Sequence, residues 1–303
     1  MFDIIVIGGT NVDIKAKTAG RHIAGTSNPG VVNVTSGGVG RNISHNLGLL
    51  GMKVALISVV GEDAFGEIAV KATLAAGVET SMCLRNDLAT GSYIAVLDSS
   101  GELVSAVNDM RILESLTCEF VKQHKAALDA AKFVVVDCNV RQDVLEYLAL
   151  HFGEKLVVEP VSVAKSEKLK ALLEKHEIFL ATPNRDQLVA LTGSDDVSAA
   201  CQDLHERGLQ NLVVHLGAAG SSASNGNRVR DIEAVSQSYI RDVTGAGDAA
   251  VAGLVYGLCK GYDVFHAAEF GQAAASLKVN SSLSTAIGLT EEALQTIVRA
   301  RNE

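Results

Sequence analysis

Residues Asp242-Val243-Thr244-Gly245-Ala246-Gly247-Asp248 set two carboxylates on either side of a glycine turn, directly before an apolar stretch, 249–258, of helical composition. The backbone N–H groups of Gly245, Ala246 and Gly247 would then point outward from a helix N-terminus. There the first donors lack intrahelical acceptors and the helix dipole is positive. Such a terminus holds an anion. An aspartate beside it, Asp248, is suited to take a proton while the amides hold a phosphoryl group. The plainer alternative is a helix cap in a tight turn. Two glycines and two aspartates in seven residues favour the anion-site reading.

Other glycine-rich stretches add to this one. In Ser36-Gly37-Gly38-Val39-Gly40-Arg41-Asn42, three glycines lead into a helical pattern. Backbone there can approach a ligand closely. The Asn42 amide offers both a donor and an acceptor, which suits a diol; a flexible turn with an ordinary Asn is the alternative. Asn11 and Asp13 follow the first apolar strand and its Gly8-Gly9 pair. That is the strand edge where open α/β sheets bind ligands, and Asp13 can accept from vicinal hydroxyls; a solvated turn acid is the alternative. Asn184 to Gln187, and the Gly217 to Gly220 turn, follow later strands and by themselves read as plain turns. A P-loop is absent. A relaxed dinucleotide fingerprint at 245–250 lacks the strand its helix should lead to, so a dinucleotide oxidoreductase is a distant alternative. The His residues have no metal-ligand spacing, so no zinc site is expected. Lys and Arg at 165–170 and 228–230 read as solvated faces, although Lys165 follows a strand end.

The elements that must position these residues follow from pattern. Apolar runs at 4–7, 54–60, 133–137, 156–159, 178–181 and 212–215 alternate with helical stretches such as 38–50 and 64–76. Repeated βα units imply a mainly parallel sheet covered on both faces. Residues 245–300 read as largely helical. Two insertions, at about 14–36 and 82–111, alternate in polarity and read as strands outside the main sheet, forming one small lid beside a single large domain.

The totals agree. The chain has 303 residues, 48% of them hydrophobic and only 4% aromatic, so its core is built from Ala, Val, Leu and Ile. A net charge of −9 argues against a nucleic-acid partner. Five Cys without CxxC spacing read as reduced thiols of a cytoplasmic protein. The first strand begins at once, with no basic leader, and the apolar runs are too short to span a bilayer, so neither a signal peptide nor a membrane span is expected.

Together, the 37–42 and 242–248 stretches resemble the two signatures of the PfkB, or ribokinase-like, carbohydrate kinases, and the likeness covers essentially the whole chain. The second signature is the more specific. The resemblance implies a three-layer αβα sandwich with a β-rich lid, ATP and Mg²⁺ as cofactors, possible use of K⁺, and a homodimer through the lid. It implies Asp248 as base and the 245–247 backbone as anion hole. It implies Asn11, Asp13, Gly37, Gly38 and Asn42 at ribose hydroxyls, Asn184 at the ATP phosphates, Gly217 and Gly220 beside the nucleotide, and Gln272 near the adenine. Asp242 and Thr244, with Ser282 in the 278–284 loop, resemble a monovalent-cation site. Shorter stretches at 27–30, 107–110, 137–139, 160–162 and 183–185 are most similar to the branch acting on the nucleoside pseudouridine. They bring Asn139 and Lys165 toward the substrate, and Asn108 and Asp109 toward the base. The expected activity is ATP-dependent phosphorylation of the pseudouridine 5′-hydroxyl. Alternatives are a kinase of the same fold for ribose, another nucleoside or a phosphosugar, and a non-catalytic nucleotide- or nucleoside-binding relative. The sequence departs from the family at Gln187, where a Glu that helps hold Mg²⁺ is expected, and at Glu159, where Asp-Pro is expected. Asp186 or Glu159 is the candidate to compensate.

Overall fold

The computed structural model describes residues 1–302. Its first part runs β1 (Ile4–Ile7), β2 (Asn11–Thr18), β3 (Gly30–Gly37), α1 (Val39–Leu49), β4 (Val54–Ile57), β5 (Val59–Gly61), α2 (Ala64–Ala75), β6 (Leu84–Asn86), β7 (Gly91–Leu97) and β8 (Leu103–Asp109). The middle alternates regularly: α3 (Cys118–Gln123), α4 (Lys125–Ala130), β9 (Phe133–Asp137), α5 (Gln142–Phe152), β10 (Leu156–Glu159), α6 (Val163–Leu173), β11 (Ile178–Ala181), α7 (Arg185–Thr192), α8 (Val197–Glu206) and β12 (Leu209–His215). A hairpin, β13 (Ser221–Ser224) and β14 (Val229–Ile232), precedes three helices, α9 (Ala246–Cys259), α10 (Val264–Lys278) and α11 (Glu291–Asn302).

Eight strands form the main sheet in the order β14-β13-β12-β11-β10-β9-β1-β4. From β4 to β12 every pair is parallel, and the β12–β13 and β13–β14 pairs at the other edge are antiparallel. The parallel strands are near-continuous apolar runs because helices cover both faces. In β1, Ile4 and Val6 join the core under α1, α9 and α10, while Ile5 and Ile7 join the core under α5 and α6. Two cores separated by one sheet make the three layers. The chain leaves β1 toward β4 on one side and resumes at β9 on the other, so the direction of winding reverses at β1. A crevice opens at the carboxyl ends of strands at such a reversal.

The expected strand 54–60 is broken at Ser58. This buried hydroxyl donates to the Gly8 carbonyl at 2.6 Å. The chain then leaves the main sheet, and β5 pairs with β6 instead.

A second sheet has the order β3-β2-β7-β8. Its register sets Thr35, Asp13, Tyr93 and Asn108 in one transverse row and Val34, Ile14, Ile94 and Val107 in the next. Alternate residues point to opposite faces. The Asp13 row therefore faces one way and the apolar row the other. All five cysteines are free, with Cys138 and Cys201 buried. Among the described residues no helix is long and apolar enough to cross a membrane.

Candidate active site

Two helix N-termini meet above the β1–β9 strand ends. α1 begins at Gly38, whose φ of +99° lies in the left-handed region. A Cβ there would stand 2.3 Å from the Gly9 carbonyl oxygen, so only glycine fits. α9 begins at Gly245, also left-handed at φ +82°. A Cβ on Gly245 would lie 2.1 Å from the Ser284 carbonyl. This turn is therefore seated hard on the loop after α10.

Asp248 is buried in the first turn of α9. Asn42, in the first turn of α1, donates Nδ2–H to Asp248 Oδ2 at 2.8 Å. Burial pushes the Asp248 carboxyl up to about 7; the Asn42 bond and Lys278 pull it down, while Asp137 and Asp13 push it further up. An acid poised near neutrality suits proton acceptance at physiological pH.

Arg41 orients Asn42. Its Nη1 donates to Asn42 Oδ1 at 3.0 Å and to the Ser36 carbonyl at 3.2 Å. Nε donates to Thr73 Oγ1 at 3.2 Å, and Nη2 meets His45 Nδ1 at 2.9 Å. Burial and the guanidinium hold the His45 imidazole down to about 4, so it is neutral and can accept. These contacts hold the buried guanidinium against Asn42.

Asp137, at the end of β9, is fully buried and accepts from the backbone N–H of Gly9 (2.8 Å), Gly40 (2.7 Å) and Asn139 (2.9 Å). It ties together β1, β9 and α1. Apart from its place in a family-like stretch, sequence reasoning gave Asp137 no role, although a carboxylate closing an apolar strand was a usable signal.

The sugar-binding candidates partly converge. Asn11 Nδ2 donates to Asp13 Oδ1 at 2.8 Å, and Ser284 Oγ donates to Asp13 Oδ2 at 3.3 Å. Gly37 pairs with Asn11 in the sheet, and a Cβ on it would strike the Asp13 carboxylate. Asn139 Oδ1 accepts from Lys165 Nζ. Lys168 Nζ donates to the carbonyls of Cys138 (3.1 Å) and Val140 (2.6 Å), and Arg230 pairs with the buried Glu269. Lys165, Lys168 and Arg230 thus depart from the solvated faces expected for them, because carbonyls and a carboxylate removed from water need donors.

Asn108 and Asp109 separate. Asn108 is exposed and shares the Asp13 row, whereas Asp109 lies on the opposite face, paired with Arg111 at 2.6 Å. The strand alternation sends the two side chains to opposite faces of β8.

One of the three amides expected to form an anion hole is engaged within the turn. The Ala246 N–H donates to the Val243 carbonyl at 3.0 Å, closing the turn. The amides of Gly245 and Gly247 remain as candidate donors, and a Cβ on Gly247 would meet nothing within 4 Å.

Asn184 and Gln187 form a reciprocal capping box at the start of α7: Gln187 N–H donates to Asn184 Oδ1 at 2.9 Å, and Asn184 N–H to Gln187 Oε1 at 2.8 Å. The stretch that read as a plain turn is thus a helix cap. Gly217 and Gly220 flank a 3₁₀ turn after β12, both at positive φ. Gln272 is buried in α10, which packs against β12, β13 and β14.

Glu159 ends β10. Burial, with Asp248 and Asp137 nearby, pushes its carboxyl up to about 8, against the N–H of Val161 that it accepts. Val161 itself has φ +68°, costly for a β-branched residue and of a kind that clusters at functional sites. Mg²⁺ in nucleotide sites is held by phosphates, waters and one or two carboxylates. Glu159 fits that role; among the described residues no cluster of three His, Cys, Asp or Glu offers a closed cage.

A monovalent cation does not fit. Asp242 Oδ2 faces Lys15 Nζ at 3.2 Å, and Asp242 Oδ1 accepts from the Thr244 N–H at 2.8 Å. The Asp242 carbonyl accepts from Lys278 Nζ at 2.8 Å, and so does the Ser281 carbonyl at 3.3 Å. Ser282, expected among the ligands, is exposed; its neighbour Ser281 turns a carbonyl inward.

The comparisons agree with this architecture. Ribokinase from Thermotoga maritima superposes with a TM-score of 0.84 over 99% of this chain and 100% of that one, at 20% identity. The fold is therefore ribokinase-like. A model of the pfkB family of carbohydrate kinases matches residues 1–291. The chain belongs to this family, and is a phosphotransferase with an alcohol as acceptor. It is 33% identical to the pseudouridine kinase of Escherichia coli K12, over 96% of this chain and 97% of that protein. It is also 33% identical to the uncharacterised sugar kinase YeiI of the same organism, over 97% of this chain and 83% of that protein.

Proposed function

We propose that this kinase transfers the γ-phosphoryl group of ATP to the 5′-hydroxyl of pseudouridine. The observation that carries the reaction is Asp248: buried, poised near neutral pH, oriented by Asn42, and set at a helix N-terminus with free amides beside it. The substrate rests on the likeness to a pseudouridine kinase across nearly the full length of both chains.

Asp248 accepts the 5′-hydroxyl proton as that oxygen attacks phosphorus in line, and the bond to the β-phosphate oxygen breaks. The Gly245 and Gly247 amides face the transferring group, where preorganised donors act without reorganisation. Asn11, Asp13 and Asn42 hold the sugar hydroxyls, which converts a bimolecular encounter into a positioned one. Glu159 would help hold Mg²⁺, which with the ATP phosphates would supply charge neutralisation there. The 217–220 turn and Gln272 border the nucleotide.

The β2-β3-β7-β8 sheet acts as a lid, excluding water that would otherwise hydrolyse ATP. Asn108, on the Asp13 face, is the candidate reader of the pseudouridine N1–H, an extra donor that uridine lacks. Asp109 is not. The outward face of the same sheet exposes Val34, Ile94 and Val107, and an apolar face of this kind fits a two-fold contact with a second copy.

The equal identity to YeiI keeps a second acceptor open. The deciding experiment measures ADP release and product mass with ATP and Mg²⁺ against pseudouridine, uridine, adenosine, ribose and fructose 6-phosphate. Product from pseudouridine alone is expected. Preference for another acceptor overturns the substrate but leaves the Asp248 chemistry, and ATP binding without any product overturns both.

A further inference from the structure

Lys278 is a fully buried lysine at the last residue of α10, and its ammonium serves no surface ion pair. It reaches across 36 residues of chain to the Asp242 carbonyl at 2.8 Å, and to the Ser281 carbonyl at 3.3 Å. Two carbonyl oxygens from separate loops converging on one buried positive charge form the donor set that otherwise suits a bare cation. Lys15 brings a second ammonium to the outer oxygen of Asp242. The same turn continues through Thr244 into Gly245, which rests on Ser284 of the Lys278 loop. Burial lowers the Lys278 pKa, while attraction to Asp242 and Asp248 opposes this.

We propose that Lys278 is a built-in monovalent cation: its ammonium occupies the place of a potassium ion beneath the anion site, and the enzyme works without one. The inference rests on the phosphoryl-transfer reading of that site. A tethered charge holds the 242–245 turn in the conformation that presents Gly245 and Gly247, and adds positive potential behind them. It does so without the loss of freedom that capturing a free ion costs.

The test compares wild type, Lys278→Ala and Lys278→Met in potassium chloride and in choline chloride at equal ionic strength, reading both turnover and melting temperature. Wild type is expected to show the same turnover and melting temperature in both salts. Lys278→Ala, which opens a cavity lined by carbonyls, is expected to lose about tenfold or more in choline. Potassium should recover most of that loss and raise its melting temperature. Lys278→Met fills the space without charge, and should lose turnover with no recovery in either salt. Strong potassium activation or stabilisation of wild type overturns the proposal. So does a Lys278→Ala enzyme that is unimpaired in choline, or one that potassium neither activates nor stabilises. If Lys278→Ala does not fold, the wild-type comparison still decides. If no acceptor is phosphorylated at all, the function reading fails while the melting data still test the cation.

Discussion

Asp248 is the proposed base, and its surroundings make several measurements informative. With the carboxyl pushed up to about 7, kcat/KM should fall about tenfold for each pH unit below that value, as the base becomes protonated. Asn42 donates to the charged form and so lowers this pKa. Asn42→Ala should therefore move the acidic limb of the pH profile upward, in addition to weakening the sugar contact. Asp248→Asn should reduce kcat by about 10²–10³ or more, the scale expected for losing one preorganised group; near-full turnover would remove Asp248 from the mechanism. The same substitution should stabilise the fold. A carboxyl raised from 3.8 to about 7 binds more protons folded than unfolded between those values, so its contribution is present below the lower value and lost as pH rises through the upper one. Asp248→Asn should accordingly melt higher than wild type at pH 8, with the gap closing toward pH 5. An unchanged gap would mean that the charge is not buried in solution.

At the scale of elements, two helix N-termini are aimed at one point by two glycines that no other residue replaces. Gly245→Ala forces a left-handed φ on an L residue, and also a 2.1 Å approach to the Ser284 carbonyl. It should lower the melting temperature by an amount corresponding to more than about 1 kcal/mol, and lower kcat more than it changes the KM for the acceptor. Equal melting temperatures would show that the 281–284 loop yields freely. These helices were legible beforehand because glycine turns preceding apolar stretches are local signals, and β9, β10 and β11 have the bounds their apolar runs imply. The break of 54–60 at Ser58 was not legible, since it depends on a carbonyl 50 positions away. The Asn184–Gln187 stretch read as a plain turn and proves to be a helix cap, with an amide where the family pattern has an acid; both amides satisfy the helix end, so the departure leaves α7 intact.

At the scale of the molecule, the small sheet carries both a polar row that includes Asp13 and an apolar row turned outward, with Val107 64% exposed. Val107→Lys should shift the protein from dimer to monomer in sedimentation analysis while leaving its melting profile cooperative. A wild type that sediments as a monomer would refute the contact. The sequence by itself determined the layered α/β architecture and the family, and offered Asp248 and Asn42 as separate site candidates, because periodicity and glycine turns act over a few residues. The tertiary structure alone decided that Asn42 Nδ2 reaches Asp248, that Asp137 ties β1, β9 and α1 together, and that the Asp242 and Ser281 carbonyls converge on Lys278 Nζ. Each of those depends on which donors and acceptors meet once water is excluded. That pairing is settled by segments up to a few hundred residues apart, which no local pattern records.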